Sequence, residues 1–368
     1  MILNNVNTIT GDGPVNISIK SGNTTADALQ LTFDNALAFP GLVNSHDHLD
    51  FNLFPQLGNR FYNNYTEWGK HIQTNYKAEI AAVLKVPLAL RVKWGIFKNL
   101  LCGVTTVVNH GEPLPVVNAP ITVEQCHSIH SVQFEKRWKL KLNNPLKRKL
   151  PVVIHVGEGN DEQSNREIDT LISWNLLKKK LIGVHGVAMT AEQAKKFEAV
   201  IWCPESNYFL LNKTAAAGDL KNHTTILFGT DSTLTGSWNI WDHIRRARET
   251  NMLTDAELYG SLHSGESSNR QLDDDYKGSI VIVKKNETAS SFDSFYATQP
   301  DNILLVVNNG EVRLFDNTML DQLEQLDLKE FSKVFIGRTC KYVHGDLPGL
   351  MQQIKAYYPG AIFPVTAI

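Results

Sequence analysis

Six short apolar runs in the middle of the chain each end in a polar residue, and this repeat restricts the fold more than any other feature. The runs read LAFPGLVNSHDH, TTVVNH, LPVVIHVGEG, LIGVHG, VIWCPESN and TTILFGTD. A loop and then a stretch of helical patterning follow each one. Continuous apolar strands that alternate with amphipathic helices indicate a parallel sheet covered by helices. The steps from His155 to His185 and on to Asp231 fit βα units of roughly 30 residues, with one unit lacking a candidate ligand between the last two. The expected fold is α/β, a (β/α)8-type TIM barrel.

The first run closes on His46 and His48. Alternate side chains of a strand share a face, so these imidazoles point the same way and Asp47 points the other. In such a barrel the functional groups collect at the C-terminal strand ends, which brings His46, His48, His155, His185 and Asp231 to one opening. Imidazole and carboxylate are the usual ligands of zinc or iron at a hydrolytic site that keeps one position open for water. His110, ending TTVVNH, reaches the same opening without an evident job. On the residues alone, Glu158 in GEGNDE reads first as a surface carboxylate. Asp231, followed by Ser232 and Thr233, also suits a helix N-cap.

Ser206 and Asn207 in CPESN are expected to fix the loop after the seventh strand. Trp68, with Phe54 and Phe61, follows the first strand, where an aromatic wall for a flat ring would be useful; core packing is the competing reading for Trp68. The remaining histidines, His130 among them, have no strand-end pattern and are expected to be structural or solvated.

Taken together, PGLVNSHDH, GVTTVVNH, IHVGE, GVHGVAMT, CPESNYFLL and GTDSTLTGSWNIWDHIRRARE resemble the amidohydrolase superfamily, within it the metal-dependent aminohydrolases that include guanine deaminase and the s-triazine chlorohydrolases. YTEWGKHI resembles the Trp-containing start of the first barrel helix of that branch. The resemblance implies one divalent metal ion, zinc first and iron as the alternative, on His46, His48, His155 and Asp231. It also implies that Glu158, His185 and Asp231 are catalytic, with Glu158 moving protons and His185 holding the attacking hydroxide or the substrate. No lysine occupies the strand ends, which argues against a carbamylated lysine between two metals.

The implied reaction is deamination of a small nitrogen heterocycle. The alternatives are cyclic amide hydrolysis of the imidazolonepropionase type, and a lapsed member that binds a small molecule or protein without turnover.

The segment between His110 and His155 is too short for two regular βα units, so a helix between strands three and four is expected to be missing and the barrel compressed there. ITVEQCHSIHSVQF would supply a strand or two and EKRWKLKLNNPLKRK a basic helix. Short β-type runs at both ends suggest a small composite β-sandwich, antiparallel at the N-terminus, from residues 1-39 plus 275-316. The barrel would occupy 40-274, and 317-368 would form a C-terminal extension packing on the body, with a helix in PGLMQQIKAYY.

At 368 residues and 42% hydrophobic content the chain can bury one large core. A formal charge of −2 gives no electrostatic case for nucleic acid or an anionic membrane. A small-molecule substrate is the expected partner, with a homodimer as the admitted assembly. The scattered Cys102, Cys126, Cys203 and Cys340, and an N-terminal stretch without a long apolar segment, lead to the expectation of a reducing, cytoplasmic location.

Overall fold

The computed structural model describes residues 1–20, 29–263 and 278–367. Its centre holds eight parallel strands: β1 (Leu42–Asp47), β2 (Val104–Asn109), β3 (Thr122–Gln125), β4 (Ser128–Ser131), β5 (Val152–Val156), β6 (Leu181–His185), β7 (Ala199–Trp202) and β8 (Thr225–Phe228). β1 to β3 form one parallel sheet in sequence order, and β4 to β8 form a second. A parallel bridge between Asp47 and Asp231 joins the end of β1 to the residues just beyond β8. Every residue of β1, β5 and β7 is buried, as continuous apolar runs require when helices cover a sheet.

The break between the two sheets falls in the compressed segment. Only Cys126 and His127 separate β3 from β4, so no crossover helix is present there. Among the described residues no pairing joins these two strands. The basic stretch that follows is a short helix, Trp138–Leu142, and a 3-10 turn, Pro145–Lys147. It is not the single longer helix that the sequence suggests, because Pro145 lacks the N–H that would continue one.

The chain ends meet in one nine-stranded mixed sheet. Its order is Val365–Ala367, Phe331–Ile336, Thr339–His344, Glu311–Asp316, Ile303–Asn308, Ile280–Lys284, Gln30–Pro40, Ile2–Thr8 and Val15–Ser18. Two expectations are corrected here. The N-terminal part is not wholly antiparallel, since Ile2–Thr8 pairs in parallel with Gln30–Pro40. The segment after residue 317 does more than pack on the body, because it contributes three of the strands; its helix Leu347–Tyr357 lies near the helix Leu88–Leu101. The boundary drawn between residues 274 and 275 lies outside the described residues.

Strand periodicity explains how this sheet serves two cores. Val281 and Val283, with Leu37 and Phe39, join the large core around the central strands, whereas Ile280 and Ile282, with Ala36 and Ala38, face a second core. The sheet therefore anchors Gln30–Pro40, the strand that leads directly into β1. Among the described residues, no helix is long and apolar enough to cross a membrane.

Candidate metal centre

The end of β1 is held from several sides. Thr230 and Asp231 donate their backbone N–H groups to the carbonyl of His46 at 3.1 and 3.0 Å, and His48 N–H donates back to the Asp231 carbonyl at 3.0 Å. His110 N–H donates to the Asp47 carbonyl at 2.9 Å. So close an approach needs Gly229, where an added Cβ would stand 2.7 Å from His46 Cβ and 2.9 Å from Ile201. Asp231 and His185 both take left-handed backbone conformations, φ 63° and 71°, which non-glycine residues adopt at some cost and which aim their side chains inward.

The side chains of His46, His48, His155 and Asp231 each present one ligand atom, and these atoms all lie within 4.8 Å of one another. His155 Nε2 is 3.2 Å from His46 Nε2 and 3.3 Å from His48 Nε2. Asp231 Oδ1 lies 3.6 Å from His46 Nε2 and 3.5 Å from His48 Nε2. A tetrahedral cation about 2.05 Å from each donor would space them about 3.3 Å apart, so this set fits a divalent metal ion. Neutral imidazoles also leave lone pairs facing one another, an arrangement that a cation relieves. Burial first, and the nearby His46, push His48 down to about 4. Burial likewise drives His155 well below its ordinary value.

Asp231 is held as the carboxylate. Burial alone would raise it, but the hydrogen bond with His46 and the surrounding imidazoles outweigh burial and keep it well below the usual carboxylate range. Ser206 Oγ and Thr235 Oγ1 both donate to its Oδ2, at 2.8 and 2.7 Å, which leaves Oδ1 for the histidines. Ser206 thus does more than fix a loop. Asn207 acts similarly: its amide donates to His185 Nδ1 at 2.8 Å. Burial pushes His185 down to about 3, so its ring is neutral and its remaining proton sits on Nε2, 3.5 Å from Glu158 Oε1.

Glu158 is buried rather than on the surface, as a reading of GEGNDE alone would have it. Burial and then the charges of Asp231 and Glu167 raise its pKa well above the usual carboxylate value, which favours the protonated acid. Glu167, from the helix Glu162–Trp174, accepts the Gly157 N–H at 2.8 Å and the Tyr65 hydroxyl at 3.3 Å, fixing the turn that carries Glu158.

His110 packs its ring 4.3 Å from that of His155 and 4.9 Å from that of His46, centroid to centroid. Both of its nitrogens are buried without a hydrogen-bond partner. His130 also belongs here, its ring 5.2 Å from His155. No sequence signal marks it beyond its place in the compressed segment, where a four-residue strand is too short for a periodic pattern. Phe51 stacks on His48 at 5.3 Å and 20°. Phe51 and His130 open onto an apolar cavity of about 520 Å³ lined also by Phe54, Trp68, Phe134 and Leu234. Trp68 thus faces the cavity while its indole N–H donates to the Leu57 carbonyl at 2.7 Å, and it packs against the core as well. Phe61 lies outside this wall and is largely exposed.

No protein-family model matches the sequence, and no curated protein matches it by sequence. Solved structures do match in fold, and these neighbours belong to the amidohydrolase superfamily. An adenosine deaminase from Xanthomonas campestris with bound zinc superposes with a TM-score of 0.70 at 15% identity, covering 97% of this chain and 97% of that one. Atrazine chlorohydrolase from Arthrobacter aurescens, complexed with zinc, gives 0.66 at 14% identity over 97% of this chain and all (100%) of that one. Guanine deaminase from C. acetobutylicum, with guanine in its active site, gives 0.63 at 14% identity over 84% and 99%. At such identities the likeness speaks to the fold.

Proposed function

We propose that the chain is a metal-dependent hydrolase of carbon–nitrogen bonds that deaminates a small nitrogen heterocycle, with the eight parallel strands acting as a compressed (β/α) barrel. The observation that carries this reading is geometric: His46, His48, His155 and Asp231 present ligand atoms within 4.8 Å of one another, and the buried Glu158 stands beside them, its Oε1 3.5 Å from His185 Nε2. Two carboxyl groups pushed in opposite directions by their surroundings are what acid–base chemistry near pH 7 requires.

His46, His48, His155 and Asp231 would hold the cation, which we take to be zinc because three nitrogens and one carboxylate suit it and two of the structural neighbours carry zinc. Bound there, it would supply Lewis acidity and lower the pKa of an adjacent water toward about 7. Asp231 Oδ1 accepts a proton from the attacking water as a C–O bond forms at the electron-poor ring carbon. Glu158 gives its proton to the ring nitrogen, where charge develops, and the His185 Nε2–H donates to the attacking oxygen. The C–N bond then breaks, the amine leaves as ammonia with a proton returned from Asp231, and the C–O–H proton passes to Glu158, which restores the acid as the carbonyl forms. The cavity lined by Phe51, Phe54 and Trp68 supports a flat, uncharged substrate.

Purified protein assayed for ammonia release against a panel of amino-substituted heterocycles tests the reading, with metal content measured alongside. Glu158→Gln is expected to keep its metal and lose at least about 10²-fold in turnover. Ring opening without ammonia would favour cyclic amide hydrolysis. Less than about half an equivalent of zinc or iron, not restored by added metal, would favour a non-catalytic binding protein.

A further inference from the structure

Two segments that precede β5 and β6, residues 136–150 and 174–180, combine into one basic and apolar surface. Between Lys136 and Leu150 the sequence KRWKLKLNNPLKRKL contains no acidic residue. The Trp138–Leu142 helix buries Trp138 and Leu142, and the 3-10 turn Pro145–Lys147 buries nothing. Asn143 ties this stretch to the end of the helix Glu162–Trp174 and the loop beyond it. Its amide donates to the Trp174 carbonyl at 2.8 Å, and its Oδ1 accepts from the N–H groups of Leu176 and Leu177 at 3.0 and 3.3 Å. Lys139 Nζ stands 3.8 Å over the Trp174 ring.

Three leucines on this surface have almost no cover: Leu146 is 93% exposed, Leu140 73% and Leu176 67%. Around them Lys136, Arg137, Lys147, Arg148, Lys149 and Lys178 are exposed and form no ion pair with described residues. The acids at hand are already engaged, Glu112 and Glu135 by Lys141 and Glu198 by Lys180. The uncompensated charge is felt inside the fold. Burial and then Lys147 lower Lys179, and burial followed by Lys179 and Lys147 lowers His127. The overall charge of −2 therefore hides a concentrated positive face.

We propose that this face docks the protein on an anionic lipid bilayer, with Leu140, Leu146 and Leu176 entering the interface and the surrounding lysines and arginines meeting the headgroups. Cations alone would suit any polyanion. The leucines decide between them, because phosphates and sugars of a nucleic acid would leave these side chains in water, whereas a bilayer supplies both anionic headgroups and hydrocarbon. Trp174, the aromatic exposed between the two segments, has Lys139 over its ring. β5 begins at Val152, just after the 146–150 end of this surface, and carries His155 near its other end.

Co-sedimentation of the metal-loaded protein with vesicles tests this, comparing pure phosphatidylcholine with a mixture holding roughly 30% phosphatidylserine. Partition onto the anionic vesicles is expected to be at least about tenfold stronger, and to fall about tenfold or more in the triple variant Lys147→Glu, Arg148→Glu, Lys149→Glu. Leu140→Asp with Leu146→Asp is expected to weaken partition several-fold while leaving the melting temperature unchanged, since both side chains are already in solvent. Equal partition onto both vesicles, or none, overturns the proposal. So does unaltered binding by the leucine variant, and so does equal displacement of wild type and leucine variant by heparin, which would identify a general polyanion site.

Discussion

The Lys98 ammonium lies 3.0 Å from Asp47 Oδ2, with both residues buried directly behind the strand end that presents His46 and His48. Asn44 and Asn99 donate to the same oxygen at 3.0 Å each, and Asn52 donates to Oδ1 at 2.6 Å. Asp47 points away from the two histidines, as strand alternation dictates, and this network holds it there.

Removing one partner of a buried pair strands the other, so Lys98→Met is expected to destabilise the protein by about 3–5 kcal/mol in denaturant unfolding. Lys98→Met with Asp47→Asn should recover part of that loss. Metal affinity, read by competition with a chelator, should fall about 10–100-fold in Lys98→Met because the strand carrying two ligands loses its support.

Elemental analysis of the purified protein is expected to give about one divalent ion per chain. Chelation should lower Tm, since a ligand that binds only the folded state stabilises it by mass action. His48→Ala and Asp231→Ala should each lose the metal and no longer respond to the chelator.

The two hydroxyls on Asp231 share one oxygen. Ser206→Ala should lower kcat/KM about 2–10-fold, the worth of one hydrogen bond to a charged group in part compensated by Thr235. Combining it with Thr235→Val should cost more than the sum of the single effects, because the last donor to Oδ2 is then gone. Steady-state kinetics on the three variants at constant metal content checks this.

Glu167 sets a pH dependence of stability. Burial first raises it from 4.5 to about 7 against the hydrogen bonds from Gly157 and Tyr65, so the folded state prefers the neutral acid. Its contribution is fully present below about pH 4.5 and is lost as pH rises through about 7. The ceiling on that loss is about 3 kcal/mol. Glu167→Gln should therefore raise Tm relative to wild type more at pH 8 than at pH 5. An equal change at both values would show that Glu167 is not held neutral.

Much of the site's composition was legible because it rests on short-range rules. The i, i+2 spacing of His46 and His48 puts them on one face of any strand, and apolar runs that stop at His155, His185 and Asp231 mark strand ends whatever surrounds them. The roles of Ser206 and Asn207 were less legible, since a loop sequence does not say which distant carboxylate or imidazole its side chains will reach. His130 could not be read at all from a strand of four residues.

The sequence alone determined the strand-and-helix alternation, the missing helix between β3 and β4, and which side chains stand at strand ends, because backbone periodicity and burial of apolar runs are local properties. Tertiary structure decided what those ends meet. It set Lys98 against Asp47, drew the last fifty residues into a sheet begun by the first forty, and joined residues 138–150 to 174–178 through Asn143. Such contacts depend on how whole layers pack, and a pairing between segments remote in the chain leaves no period in either of them.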